Sequence, residues 1–176
     1  MNKISPNHFR VLAIAPSSRG FGFAVLEGPE TLVDWGVKSM KGDKSIRSLE
    51  KVEELLALFR PGVIVLEDHS AKDSRRAARI RKLSKGIIAL ARRRNVTIAL
   101  LLRQQVRQVF FADGQGTKYA LAEILAARFP DELGFRLPPK RRPWMSEDYR
   151  MDIFDSVALA LAVSQDKDRS IKTSIK

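Results

Sequence analysis

A chain of 176 residues with 44% hydrophobic content can bury a real core, which argues for one packed domain rather than disorder. It has no cysteine, so disulfides and thiolate metal centres are excluded. Its 32 Lys+Arg outweigh 20 Asp+Glu to give a net charge of +12, which favours a polyanionic partner. Residues 60–110 carry 13 basic side chains against only Glu67, Asp68 and Asp73, so most of the excess sits in one middle segment. A solvated basic face is the bland explanation. Nucleic acid is favoured because the excess brackets the acidic candidate Glu67. Residues 1–10 contain no apolar h-region, and no apolar run approaches the ~20 residues of a membrane span. A cytoplasmic protein with no membrane partner is expected.

In chain order, residues 10–16, 20–26 and 31–39 read as three short strands joined by Gly- and Pro-containing turns, hence an antiparallel meander. Asp43 caps a predicted helix running to about Arg60, with Leu49, Val52, Leu55, Leu56 and Phe59 at helical spacing. Val63-Ile64-Val65-Leu66 is a continuous apolar run, the pattern of a strand buried on both faces. Residues 74–94 read as a helix whose inner stripe is Ile80, Leu83, Ile87 and Leu90, with Arg75, Arg76, Arg79 and Lys82 mostly outside it. Val96–Leu101 is expected to be the next buried strand, and Arg103–Phe111 a short helix. A helix from Thr117 to Phe129 follows. The Pro-rich residues 130–145, with Lys140, Arg141 and Arg142, read as an exposed loop. Ser146 is expected to cap a last helix ending near Ser164, and residues 165–176 form a polar, frayed tail. The expected architecture is a single α/β domain over 1–164, with a mixed five-stranded sheet and helices on both faces. This element order is typical of the RNase H-like fold.

Glu67 closes a buried strand, where a carboxylate is costly unless compensated. Strand ends in open α/β sheets are also where sites form. Taken alone, an ion pair explains it slightly better. Asp152 and Asp155, three residues apart, share one side of a helix that continues Val157-Ala158-Leu159-Ala160-Leu161-Ala162-Val163. A helix so apolar should be buried, and two acids on it need a cation: a metal or several arginines. Hard carboxylate oxygens suit Mg²⁺ or Mn²⁺. Asp34 and Asp68 are poor substitutes, since alternation aims Asp68 away from Glu67. His69 reads as a partly exposed loop histidine, Trp144 as a base-stacking group or a loop anchor, and Ser17 and Ser18 as turn residues or phosphate ligands.

Ile14-Ala15-Pro16-Ser17-Ser18-Arg19, continued by Phe21-Gly22-Phe23-Ala24-Val25, resembles the opening Ile-Asp-Pro-Gly-Ser-Arg strand and turn of the RuvC family of Holliday-junction resolvases. Val65-Leu66-Glu67 is similar to the strand bearing that family's second acid, Arg103 to Val109 to its basic stretch, and Asp152 through Ala160 to its closing acid-x-x-Asp-Ala-Leu-Ala motif. The resemblance spans roughly residues 10–164. It implies an Mg²⁺- or Mn²⁺-dependent endonuclease that works as a homodimer on branched DNA. Glu67, Asp152 and Asp155 would then be metal ligands, and Lys118 would stabilise phosphoryl charge. Two such ions, about 3.5–4 Å apart, would activate water and the leaving oxygen. Ala15 stands where the family has its first acid, so cleavage is expected to be impaired. Ser17 stands for a glycine, and Asp68-His69-Ser70 lacks the aromatic residue often found after the second acid. Arg75, Arg76, Arg79, Lys82, Arg103, Arg107, Lys118, Lys140, Arg141 and Arg142 are the expected nucleic-acid contacts. The competing expectations are a non-catalytic nucleic-acid-binding protein on this scaffold and an RNA-processing nuclease of the YqgF type.

Overall fold

Alternation along the first strands sorts the apolar side chains into two cores, one on each face of a sheet. The computed structural model describes residues 9–70 and 78–165. Strands β1 (Arg10–Pro16), β2 (Gly20–Glu27) and β3 (Thr31–Ser39) pair antiparallel. Strand β4 (Val63–Glu67) runs parallel to β1, and β5 (Thr97–Leu101) parallel to β4. The sheet order is β3-β2-β1-β4-β5, a mixed five-stranded sheet as expected. Leu12, Ile14, Ile64 and Leu66 pack on one face under α1 (Lys44–Phe59) and α2 (Ala78–Arg93). Val11, Ala13, Val63 and Val65 pack on the other, with α3 (Arg103–Phe110), α4 (Lys118–Arg128) and α6 (Met151–Gln165). Between α4 and α6 lies the four-residue α5 (Pro130–Leu133).

The predicted caps hold at two helices. The Asp43 carboxylate accepts from the backbone N–H of Ser45 and Ile46, and the Thr117 hydroxyl accepts from Ala120 N–H at 3.0 Å. In α2, Ile80, Leu83, Ile87 and Leu90 are buried, the stripe read from the sequence.

Four expectations change. Strand β5 is not buried on both faces, because it is a sheet edge: Thr97 and Leu100 are exposed. The 130–145 segment opens with α5 and a 3₁₀ turn, Gly134–Arg136, whose Leu133 is fully buried, before becoming exposed loop. The last helix starts at Met151, not after Ser146. Asp148 makes the entry: its carbonyl accepts from Met151 N–H, and its side chain from Arg150 N–H at 2.9 Å. The helix also runs one residue further than expected, to Gln165. The N-terminal part of the 74–94 helix, with Arg75 and Arg76, and the tail beyond Gln165 lie outside the described residues.

Helix α6 is the centre of the molecule. Eleven of its side chains are buried, from Met151 to Val163, and it lies across β1 and β2. At roughly 1.5–3 kcal/mol for each large side chain, it carries much of the hydrophobic stabilisation. The approach is tight because Gly22 has no side chain: a Cβ there would sit 2.1 Å from the Asp152 carbonyl oxygen. Among the described residues no helix is long and apolar enough to cross a membrane.

Candidate functional site

The register of β1 on β4 pairs Val11 with Val63 and Ala13 with Val65. Continued by two residues, it sets position 15 beside Glu67, both facing α6. Ala15, Glu67, Arg107, Lys118 and Asp155 line one cavity of about 50 Å³ between the strand ends, α3, α4 and α6. An open groove of about 1020 Å³ passes over the same place, lined among others by Ser17, Arg19, Glu67, Lys118, Asp152 and Asp155. The three acids singled out by sequence therefore meet at one groove, although they come from β4 and α6.

Their environments differ. Asp152 is half-buried, and its carboxyl is pushed up to about 6. Burial is the main cause, with Asp155 and Glu147 adding like charge, while a hydrogen bond with Ser17 and the Lys118 charge pull the other way. Asp155 is raised as well, first by burial and then by Glu147 and Glu67, against the opposing pull of Lys118. The Lys118 ammonium lies 2.7 Å from Asp155 Oδ2 and also donates to Glu147 Oε1. Burial alone would lower its pKa; the pair of carboxylates reverses this and the net direction is upward. Glu67 has His69 as a neighbour, with Nδ1 to Oε1 at 3.7 Å.

Because the folded pKa of Asp152 exceeds its unfolded value, the folded state binds more protons between about pH 4 and 6. The fold is then most stable below that window, loses stability as pH rises through it, and stays lower above it. Asp152→Asn is expected to remove this slope and raise stability at pH 7 by about 1–2 kcal/mol. Urea melts across pH 4–8 check it. A slope unchanged in the variant would place the cost elsewhere.

Two residues that sequence reading gave little weight belong to the site. Glu147, on the loop before α6, brings a carboxylate oxygen within 4.8 Å of ligand atoms of Asp152 and Asp155. Nothing periodic marks it; only its distance to Lys118 across 29 residues does. Ser17 is more than a turn residue, since it lines the groove together with Asp152 and opposes the upward shift of that carboxyl. His69 is a partly exposed loop residue as expected, but its side chain is only 7% exposed and lies beside Glu67. Asp34 stays out, accepting from Trp35 N–H. Asp68 lies on the groove wall, where its carboxylate accepts from Ser70 N–H at 2.8 Å.

The expected nucleic-acid contacts divide. Arg103, Arg107 and Lys118 line the cavity. Arg79 turns inward and donates to the Ser17 carbonyl. Lys82, Lys140, Arg141 and Arg142 are exposed and lie outside the two cavity linings. Trp144 is 76% exposed with the Arg142 guanidinium 5.6 Å from its ring, so it does not anchor the loop by packing.

The donor chemistry can be set against a divalent cation. A hard cation takes oxygens at about 2.0–2.6 Å, and the spacing of Glu147, Asp152 and Asp155 suits one such ion. Ala15 contributes no oxygen at the β1 side of the groove.

No protein-family model and no curated protein matches the sequence. Among solved structures, RuvC of Thermus thermophilus superposes with a TM-score of 0.69 at 19% identity, covering 93% of this chain and 98% of that one. T. thermophilus RuvC in complex with a Holliday junction substrate gives 0.66 at 21% identity, over 88% of this chain and 92% of that one. The yeast mitochondrial Holliday junction resolvase Ydc2 gives 0.61 at 17% identity, over 92% and 80%. Strand order, helices on both faces and these likenesses together give the chain the RNase H-like fold in the form carried by RuvC resolvases.

Proposed function

We propose that this chain is a RuvC-like protein that takes branched DNA into its groove, as a homodimer, and that its phosphodiester cleavage is impaired by Ala15. The observation that carries the reading is the convergence of Glu67, Asp152 and Asp155 with Lys118 on one groove of a strongly basic protein. One structural neighbour is in complex with a Holliday junction substrate, which supports branched DNA as the ligand.

In this reading Asp152, Asp155 and Glu147 would hold a divalent cation, Mg²⁺ or Mn²⁺, while Glu67 lines the same groove outside that trio. Such an ion supplies activation of water and neutralisation of phosphoryl charge. The chain's own groups do the rest. Asp155 holds the Lys118 ammonium at the groove floor, where it meets the charge developing on a phosphate. Ser17, on the groove wall, favours the ionised form of Asp152. Arg103 and Arg107 flank the floor, and the exposed Lys140, Arg141 and Arg142 contribute attraction at longer range.

A second reading, binding without cleavage, is favoured by one contact. Lys118 between Asp155 and Glu147 already neutralises part of the acidic cluster with no metal. Both readings require binding in EDTA. The test is fluorescence anisotropy with a four-way DNA junction, a linear duplex and a structured RNA of equal length. The junction is expected to bind at least about tenfold tighter than either, with a log–log salt slope of roughly −4 or steeper. Preference for RNA would move the chain to RNA processing, and salt-insensitive binding would overturn both readings.

A further inference from the structure

We propose that the β1–β2 turn is a separate phosphate-binding position, formed by Arg19, Lys44 and Arg79, which takes a backbone phosphate of the nucleic acid beside the acidic floor without metal. The inference rests on the nucleic-acid reading above and extends it to residues outside the acidic centre.

Three cations from three elements gather at one tight turn. The turn closes with Ser17 N–H donating to the Gly20 carbonyl at 3.0 Å, and Met40 N–H donates to the Arg19 carbonyl at 2.9 Å from the other side. Lys44, first residue of α1, donates from Nζ to the Ser18 carbonyl at 3.3 Å. Arg79, from α2, donates from Nη2 to the Ser17 carbonyl. Lys44 and Arg79 each spend one donor on the turn backbone, which holds them in place and leaves further donors. Arg79 Nη1 is buried and has no hydrogen-bond partner among the described residues. Arg19 itself is exposed, on a turn whose Ser17 and Ser18 line the open groove.

The nearby acids do not consume this charge. Asp43 uses its carboxylate on the backbone of Ser45 and Ile46. Asp148, whose carboxyl is held low by Arg150 first and by the more distant Arg19, is already paired two-pronged with Arg150 at 2.8 and 2.9 Å. A hydroxyl-rich turn ringed by preplaced ammonium and guanidinium groups suits a tetrahedral dianion or a phosphodiester. Ser17, Ser18 and Arg19 lie on the wall of the groove that also carries Glu67, Asp152 and Asp155, so the turn takes a phosphate neighbouring the one at the acids.

The test is the double variant Arg19→Ala/Lys44→Ala, which leaves Arg79 and the acidic floor intact. Four-way junction binding is measured in EDTA across a salt series, with melting curves to confirm the fold. The slope of log affinity against log salt is expected to fall by about 1–2, and affinity at moderate salt by roughly tenfold or more. A folded variant with the parent's slope and affinity overturns the turn site and leaves the nucleic-acid reading standing. A parent chain that binds no nucleic acid overturns both.

Discussion

Ala15→Asp is expected to raise nicking of a four-way DNA junction in Mg²⁺ by about 10²–10³-fold over the parent chain. That is the range associated with one well-placed electrostatic group in a transition state. The position has room: the cavity of about 50 Å³ that Ala15 lines could hold a few water molecules, hence a carboxylate. The sheet register points the new side chain at Glu67 and α6. The change carries its own signature without metal. A further acid beside Asp155, already raised by burial and neighbouring acids, adds like-charge repulsion. The variant should therefore lose about 1–2 kcal/mol of stability in EDTA and recover it in Mn²⁺, by linkage to binding. Single-turnover nicking and thermal melts with and without Mn²⁺ are the measurements. Equal nicking rates, together with no metal-dependent shift in Tm, would falsify the nuclease ancestry of the site.

Gly22→Ala should cost about 3 kcal/mol, near the top of the range for overpacking. The added methyl would meet the Asp152 carbonyl at 2.1 Å, far inside contact distance, and that atom is helix backbone that cannot swing away. Helix α6 must lift from β2, and because α6 bears Asp152 and Asp155, the acids move with it. Urea melts should show the lost stability, and the rise in Tm with Mn²⁺ that is expected of the parent should be lost. A variant that melts like the parent would mean that the helix tolerates displacement, and that its seat on β2 does not set the site.

Much of this was legible before any coordinates. The apolar stretch of β1, closed by its Pro-containing turn, and the unbroken apolar run of β4 were enough to place Ala15 and Glu67 near strand ends. The burial of α6 followed from a run too apolar to face water. The signals that failed were those set by neighbours distant in sequence. Strand β5 looks internal from its residues, and only the sheet order makes it an edge. Ser146 looks like a cap, but the backbone turns at Asp148, whose pairing with Arg150 fixes the helix start. Glu147 is an exposed loop acid whose meaning comes wholly from Lys118 on another helix. His69 carries no pattern of its own, and its burial depends on packing around Glu67.

The wiring of the acidic floor bears on how such a protein would shed its chemistry over generations. Asp155 pairs with Lys118 and Glu67 lies beside His69, so losing either acid would leave a partly buried neighbour without its counter-charge. An alanine at position 15 instead packs against the apolar cluster around α6 and leaves nothing unanswered. A lineage that stopped needing to cut DNA could drop that one oxygen donor first and keep a sound scaffold. In the proposed reading, position 15 is thus the place where this architecture spares a carboxylate at least cost.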